Sequence, residues 1–457
     1  MSELTNKEII DGYIERARKA QAEFEKLSQE QVDLAVKTLA KTIHDNAEYF
    51  AEISVEETGM GNVPDKIVKC RNKSRNIWYS LKGKPSRGII KRDPETGITE
   101  IAKPVGVVAA ITPCTNPIVT PMSNAMFALK CGNAIVFTPH HKAVKCSTKA
   151  VEMMNEALAK LNMPENLIQI IKEKSRDNTK LLISAADVVV ATGGMGMVNA
   201  AYSSGKPALG VGTGNVQCII DKDADIAEAV PKIIKGRAYD NGIICSAEQS
   251  VIAPKEKLDE VLKEFEKNKA YVIREEKEKT AFRNALFVDG AINRHAIGQS
   301  PKDVAALANI KVPDDTSLIV VVADGRGDAD AFSREKIAPV LSAYSYDDFK
   351  DAVEVARANL DVEGTGHSVS IHSNTTENIE YAGNELNVSR FVINQVCAAS
   401  AGGSFQNGLA PTNTLGCGTW GNNSISENLT YKHLMNVSRI AYFMPDNYVP
   451  SDEELWS

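Results

Sequence analysis

Apolar residues recur along this chain with two different periods, and the change from one to the other divides it. Over the first sixty or so residues the period is helical. Ser28-Gln29-Glu30-Gln31 forms a capping box, and Val32, Ala35, Leu39 and Ile43 follow as one stripe. Gly59 and Gly61 end that segment. A second helix is expected over 65–81, carrying Lys66, Lys69, Arg71, Lys73 and Arg75. A charge run of this kind reads as a solvated face. Residues 88–92, the turn Asp93-Pro94-Glu95-Thr96-Gly97 and residues 98–103 read as a protruding hairpin.

From Pro104 the pattern becomes short apolar runs separated by helical stretches. Strands are expected at 105–111, 134–137, 167–171 and 188–190, with helices at 118–129 and 143–161. Continuous apolar strands alternating with helices predict a parallel sheet covered on both faces, the α/β class with a Rossmann-type nucleotide-binding domain. Ligands of such sheets bind beyond the carboxyl ends of the strands. Those ends carry Thr112-Pro113, Thr138-Pro139-His140 and Thr192-Gly193-Gly194. No full dinucleotide glycine motif follows the first strand. Gly194-Met195-Gly196 begins one but has Asn199 where the third glycine belongs, and by itself it reads as a simple turn. A further strand is expected at 318–322, and the last third of the chain is rich in glycine.

Composition narrows the class. The 457 residues are 43% hydrophobic and 24% charged, enough for two or three packed domains. A net charge of −7 argues against nucleic acid or an anionic membrane as partner. No apolar run is long enough to span a bilayer. Met1-Ser2-Glu3-Leu4-Thr5-Asn6-Lys7-Glu8 lacks the basic and apolar regions of a secretion signal. The eight cysteines are scattered without a CxxC pair, so a cytoplasmic protein with reduced thiols is expected. The seven histidines show no metal-ligand spacing, and no metal site is expected.

One cysteine stands apart. Cys245 follows the polar turn Asp240-Asn241-Gly242 and two isoleucines, and precedes the strand-like Ser250-Val251-Ile252-Ala253-Pro254. A thiol on a tight loop entering a strand is held rigidly yet can be approached, as a nucleophile must be. A free cysteine is also a common small buried hydrophobe, and this loop alone does not decide between the two.

Five segments in a fixed order decide it. Thr112 to Pro117, Asn241 to Cys245, Glu335-Lys336-Ile337-Ala338-Pro339-Val340, Gly364 to His367, and Leu415 to Gly421 together resemble the aldehyde dehydrogenase superfamily over nearly the whole chain. Within it they resemble the CoA-acylating branch, above all its members that reduce succinyl-CoA. The resemblance implies a nucleotide-binding domain from 1–87 and 104–234, a catalytic domain at 235–420, and an oligomerisation arm from 88–103 and 421–457. It implies Cys245 as nucleophile, Asn116 with the cysteine N–H as oxyanion donors, and His367 as acid/base toward the CoA sulfur. Glu335 would orient the nicotinamide ribose. Thr112, Thr138, Pro139, His140, His141, Thr192, Gly193 and Gly212 would complete the cofactor site.

The superfamily's hydrolytic members carry a glutamate that activates water against the thioacyl enzyme. The matching stretch here, Leu209-Gly210-Val211-Gly212-Thr213-Gly214-Asn215, has no carboxylate. Losing such a base slows hydrolysis by roughly 100- to 10,000-fold, which leaves a CoA thiol as acceptor. His140, His141 and Lys142 could accept a 2′-phosphate, so NADP(H) is favoured over NAD(H). Lys73, Arg75 and Ser246 are expected to meet the far carboxylate of a succinyl chain. The expected partners are an acyl-CoA, its aldehyde and a second copy of the chain, as a dimer or dimer of dimers. Acetyl-CoA- or butyryl-CoA-type specificity, a hydrolytic enzyme and a catalytically silent nucleotide-binding protein are the alternatives.

Overall fold

The computed structural model describes residues 5–173 and 175–457; the first four residues of the stretch without a leader pattern lie outside them. Helices α1 (Asn6–Phe24), α2 (Gln29–Asp45), α3 (Ala47–Thr58) and α4 (Val63–Leu81) open the chain. Ser28 and Gln31 form the expected capping box on α2, and Gly59 ends α3 in the left-handed conformation. The hairpin strands β1 (Gly88–Asp93) and β2 (Ile98–Pro104) pair antiparallel.

The first parallel sheet is built from β3 (Val107–Thr112), β4 (Ala134–Pro139), β5 (Ile168–Ile170), β6 (Val188–Thr192) and β7 (Ala208–Val211), in the order β5-β4-β3-β6-β7. Helices α5 (Val119–Lys130), α6 (Val144–Ala159), α7 (Arg176–Ala185) and α8 (Met195–Tyr202) connect or flank these strands. All six residues of β3 are buried. Its alternate side chains enter two cores. Val108 and Ala110 pack with α2 and α5, whereas Val107, Ala109 and Ile111 pack with α1 and α7. A strand buried on both faces has no polar face to show, which is why these runs read as continuously apolar. The strand order reverses direction between β3 and β6, the switch point beyond whose carboxyl edge ligands of such sheets bind. Gly194 is not in a free turn: it caps α8 immediately after β6.

A second parallel sheet follows, from β8 (Val216–Ile220), β9 (Glu248–Pro254), β10 (Tyr271–Ile273), β13 (Ile319–Val322), β14 (Val340–Tyr346), β15 (Val369–His372) and β16 (Phe391–Ile393). A short hairpin of β11 (Phe287–Val288) and β12 (Ala291–Ile292) lies outside it. The order is β10-β13-β14-β9-β8-β15-β16. Because β8 belongs here, with α9 (Ile226–Ala238) packed on it, the chain changes sheets at residues 212–215. That is about twenty residues earlier than the expected boundary after 234. The apolar β8 run looks like one more strand of the first sheet, and its hydrogen-bonded neighbours reassign it. The last strand, β17 (Met435–Ala441), pairs with β2, so both segments expected in the arm share one antiparallel sheet. Among the described residues, no helix is long and apolar enough to cross a membrane.

Candidate active site

The two sheets face the cleft with opposite edges. The first presents the carboxyl ends of β3, β4, β6 and β7. The second presents its amino edge: the segments holding Gly212–Asn215, Cys245, Glu335, His367 and Arg390 run into β8, β9, β14, β15 and β16.

The cysteine loop is held in an unusual backbone shape. Asp240, Asn241 and Gly242 take φ of 51°, 53° and 72° in succession. Asp and Asn tolerate the left-handed region at a modest cost, and dense hydrogen bonding offsets it here. Fully buried Asp240 accepts from the Asn62 N–H at 3.0 Å and from Lys66 Nζ at 3.0 Å, and pairs with Lys69. Burial works to raise its carboxyl, but Lys69 and Lys66 outweigh this and hold it below the usual carboxylate range. Asn241 Nδ2 donates to the carbonyls of Gly61 at 3.3 Å and Gly298 at 3.0 Å. Gly242 has no room for a side chain, since a Cβ would lie 2.5 Å from the Ala338 carbonyl group.

Lys66 and Lys69 are 4% and 6% exposed, so this part of the charge run on α4 is not a solvated face, although Arg71 and Arg75 are exposed. The two lysines share the stripe Cys70, Ser74, Ile77 and Leu81, all buried. The spacing was visible in sequence, but their carboxylate partner, 171 to 174 residues away, was not. Lys69 Nζ also donates to Asn116 Oδ1 at 3.0 Å. Lys73 continues the face and donates to the carbonyls of Gly402 at 3.1 Å and Thr412 at 3.0 Å. Burial lowers it to about 8, with the Cys245 charge opposing. Arg75 points the other way and is exposed, since two residues further along a helix is a rotation of about 200°. Its expected place beside Lys73 is therefore corrected. Ser246 is buried, with its hydroxyl 3.4 Å from the Ala398 carbonyl.

Cys245 itself is half-buried. Burial pushes its thiol up to about 12, with Glu335 and Cys417 adding to the rise and Arg390 opposing it. The 212–215 segment passes directly against it: a Cβ on Gly214 would sit 1.9 Å from the Cys245 carbonyl oxygen. The Gly214 N–H donates to Glu335 Oε1 at 3.2 Å. Burial and then Glu363 raise the Glu335 carboxyl to about 8, so it is largely protonated at neutral pH. Lys336 bolts this loop to β9 through the Gln249 carbonyl at 3.1 Å.

His367 is fully buried, and burial, then Arg390, lower it to about 3, so it is neutral. Arg390 donates to Ser368 Oγ at 3.1 Å, which leaves the Ser368 hydroxyl hydrogen for His367 Nδ1, also at 3.1 Å. That assigns the proton to Nε2, a buried atom with no partner among the described residues. Arg390 also holds the His367 carbonyl at 2.7 Å and the Gly416 carbonyl at 2.8 Å. It was missed in sequence, where a lone arginine before Phe391-Val392-Ile393 reads as a strand flank.

At the carboxyl edge of the first sheet the groups are neutral. Thr138 and Thr179 hydroxyls lie 3.0 Å apart, and those of Thr192 and Thr414 lie 2.9 Å apart. Thr112 Oγ1, at the switch point, is buried without a partner among the described residues. Gly193 has open space around its Cβ position, while Gly212 lies 3.7 Å from Cys417 Sγ by the same measure. An orphaned hydroxyl beside a side-chain-free turn fits a nucleotide cofactor. The His140 and His141 rings lie 4.1 Å apart, tilted by 33°, beyond Pro139. Burial, then His141 and Lys142, lower His140 to about 4, so it brings no positive charge at neutral pH.

Known proteins match this arrangement. Residues 2–410 match the aldehyde dehydrogenase family. The chain is 54% identical to an acetylating succinate-semialdehyde dehydrogenase of Clostridium kluyveri, over 99% of this chain and 100% of the relative. The crystal structure of an acetylating aldehyde dehydrogenase from Geobacillus thermoglucosidasius superposes with a TM-score of 0.93 at 37% identity, covering 98% of each chain. A Rhodopseudomonas palustris propionaldehyde dehydrogenase with bound propionyl-CoA superposes at 0.85 with 27% identity, over 95% of this chain and 94% of the other. By its sequence from end to end, and by its two opposed parallel sheets, the chain belongs to the aldehyde dehydrogenase family of oxidoreductases.

Proposed function

We propose that this protein interconverts an acyl-CoA, foremost succinyl-CoA, and its aldehyde, succinate semialdehyde, through a thioacyl enzyme on Cys245. The observation that carries this reading is the carboxylate-free segment 212–215 lying against the cysteine. The carboxyl that acts most on the thiol, Glu335, is largely neutral below its raised value of about 8 and makes a poor base toward water.

In the reductive direction the Cys245 sulfur adds to the thioester carbonyl, and the proton its thiol releases to solvent is matched by the one the departing CoA thiolate takes up. The oxyanion is met by Asn116 Nδ2 and the Cys245 N–H. The carbonyl re-forms as the C–S bond to CoA breaks, and His367 Nε2–H donates a hydrogen bond to the departing thiolate. A reduced nicotinamide, when bound, would supply the hydride that the thioacyl carbon needs. The resulting thiohemiacetal releases aldehyde and regenerates Cys245. Thr112, Thr192, Gly193 and Glu335 would hold the cofactor, with Lys142 and His141 toward a 2′-phosphate in favour of NADP(H). Lys73, charged below about pH 8 and retaining one N–H beyond its two backbone bonds, would pair with the distal carboxylate of succinyl.

The arm would join two copies. Phe443 and Trp456 near its end are 89% and 84% exposed, and apolar groups of this size call for a cover. Light scattering at micromolar concentration should give at least twice the 49.5 kDa of one chain.

The decisive test is turnover by the purified protein with each acyl-CoA and each nicotinamide. CoA-dependent oxidation of succinate semialdehyde, with succinyl-CoA preferred to acetyl-CoA in reverse, is the expected result. Release of free succinate without CoA would sink the acylating reading. A preference for acetyl-CoA would sink the succinyl assignment alone.

A further inference from the structure

Lys69 lies at the junction of two parts of the site that are remote in sequence. Its Nζ bonds Asn116 Oδ1 at 3.0 Å and pairs with Asp240, five residues before Cys245. A lysine ammonium only donates, so the Asn116 atom facing it must be the amide oxygen. The amide is thereby fixed in one of its two orientations, with Nδ2 turned away from Lys69. Among the described residues Nδ2 has no acceptor, so both its hydrogens remain for a ligand.

We propose that Lys69, anchored by Asp240, is a positioning residue that aims the Asn116 amide at the acyl oxygen and ties the oxyanion donor to the cysteine loop. The inference rests on the reading of Asn116 as an oxyanion donor. Without Lys69 the amide can flip and present oxygen to a developing oxyanion, which replaces a favourable dipole with a repulsive one. Asp240 performs both halves of this coupling. Its backbone starts the left-handed turn that leads to Cys245, and its carboxylate fixes the lysine. Lys66 braces the same carboxylate at 3.0 Å, and the Tyr239 ring lies 6.0 Å from Lys69 Nζ.

The test compares Lys69→Met, Asn116→Ala, their double variant and Lys66→Met in acyl-CoA reduction, alongside iodoacetamide alkylation of Cys245. Lys69→Met should lower kcat on the order of 10- to 100-fold, with little change in KM. In the Asn116→Ala background the same change should have no further effect, and alkylation should stay within about three-fold of the parent. Lys66→Met should lose less. Lys69→Gln, which keeps a neutral N–H donor, should recover part of the loss and serves if Lys69→Met does not fold. Full additivity of the two losses, equal loss in Lys66→Met, or a parallel fall in alkylation would overturn the proposal. An Asn116→Ala variant as active as the parent would instead remove the oxyanion reading on which it rests.

Discussion

The two edges that meet in the cleft are both ends of parallel sheets, yet they are built from different chemistry. The carboxyl edge of the first sheet is made of hydroxyls and glycines: Thr112, Thr138, Thr192 and Gly193. The amino edge of the second carries buried ionisable groups, with Arg237, Glu248, Lys336, His367 and Arg390 all 2% exposed or less. A neutral cradle suits a large ligand that must come and go, because no buried charge is stranded when it leaves. Arg237, Lys336 and Arg390 donate to backbone carbonyls and Glu248 accepts from the Cys397 N–H, and such buried bonds fix loops that would otherwise relax from strained shapes. Ile337 shows the strain, a β-branched residue at φ 40° two positions after Glu335. Binding thus falls to the cheap, open edge, and the reacting groups to the rigid one.

If that division holds, changes at the two edges should fail differently. Cys245→Ala should lower acyl-CoA reduction by more than about 100-fold while leaving cofactor binding, read by fluorescence titration, close to normal. Gly214→Ala should come next. Its Cβ would collide with the Cys245 carbonyl at 1.9 Å, and a displacement of about 1 Å at a reacting centre costs roughly 100-fold. The matching change at the open edge, Gly193→Ala, meets no protein atom within 4 Å and should act on cofactor binding alone, raising the KM for the nicotinamide while leaving kcat within about two-fold. Equal damage from the two alanines would break the comparison.

A smaller effect should appear with pH. Lys73 loses its proton as pH rises through about 8, so its attraction for a distal carboxylate is present below that value and lost above it. The ratio of kcat/KM for succinyl-CoA to that for acetyl-CoA should fall about ten-fold between pH 7 and 9.5, and Lys73→Met should abolish the pH dependence of the ratio. Taking the ratio cancels titrations common to both substrates, Cys245 and Glu335 included. The smallest change should come from Thr112→Val. Removing an orphaned hydroxyl should leave Tm unchanged or slightly higher, while the KM for the nicotinamide rises by about three- to ten-fold, the worth of one hydrogen bond of about 1 kcal/mol.

The sequence by itself determined the elements and their class, because the period of apolar residues is a local property. It gave the capping box on α2, the buried strands β3, β4 and β6, the hairpin of β1 and β2, and a cysteine on a loop entering β9. Only the tertiary structure decided which neighbours those elements have. It moved β8 into the second sheet, turned Arg75 outward, left His140 neutral, and buried Lys66 and Lys69 on Asp240. A lysine at a stripe position can face water or a carboxylate, and the sequence pattern is the same for both. What separates them is the desolvation cost of the ammonium against the charge that meets it, and here that charge comes from 171 residues along the chain.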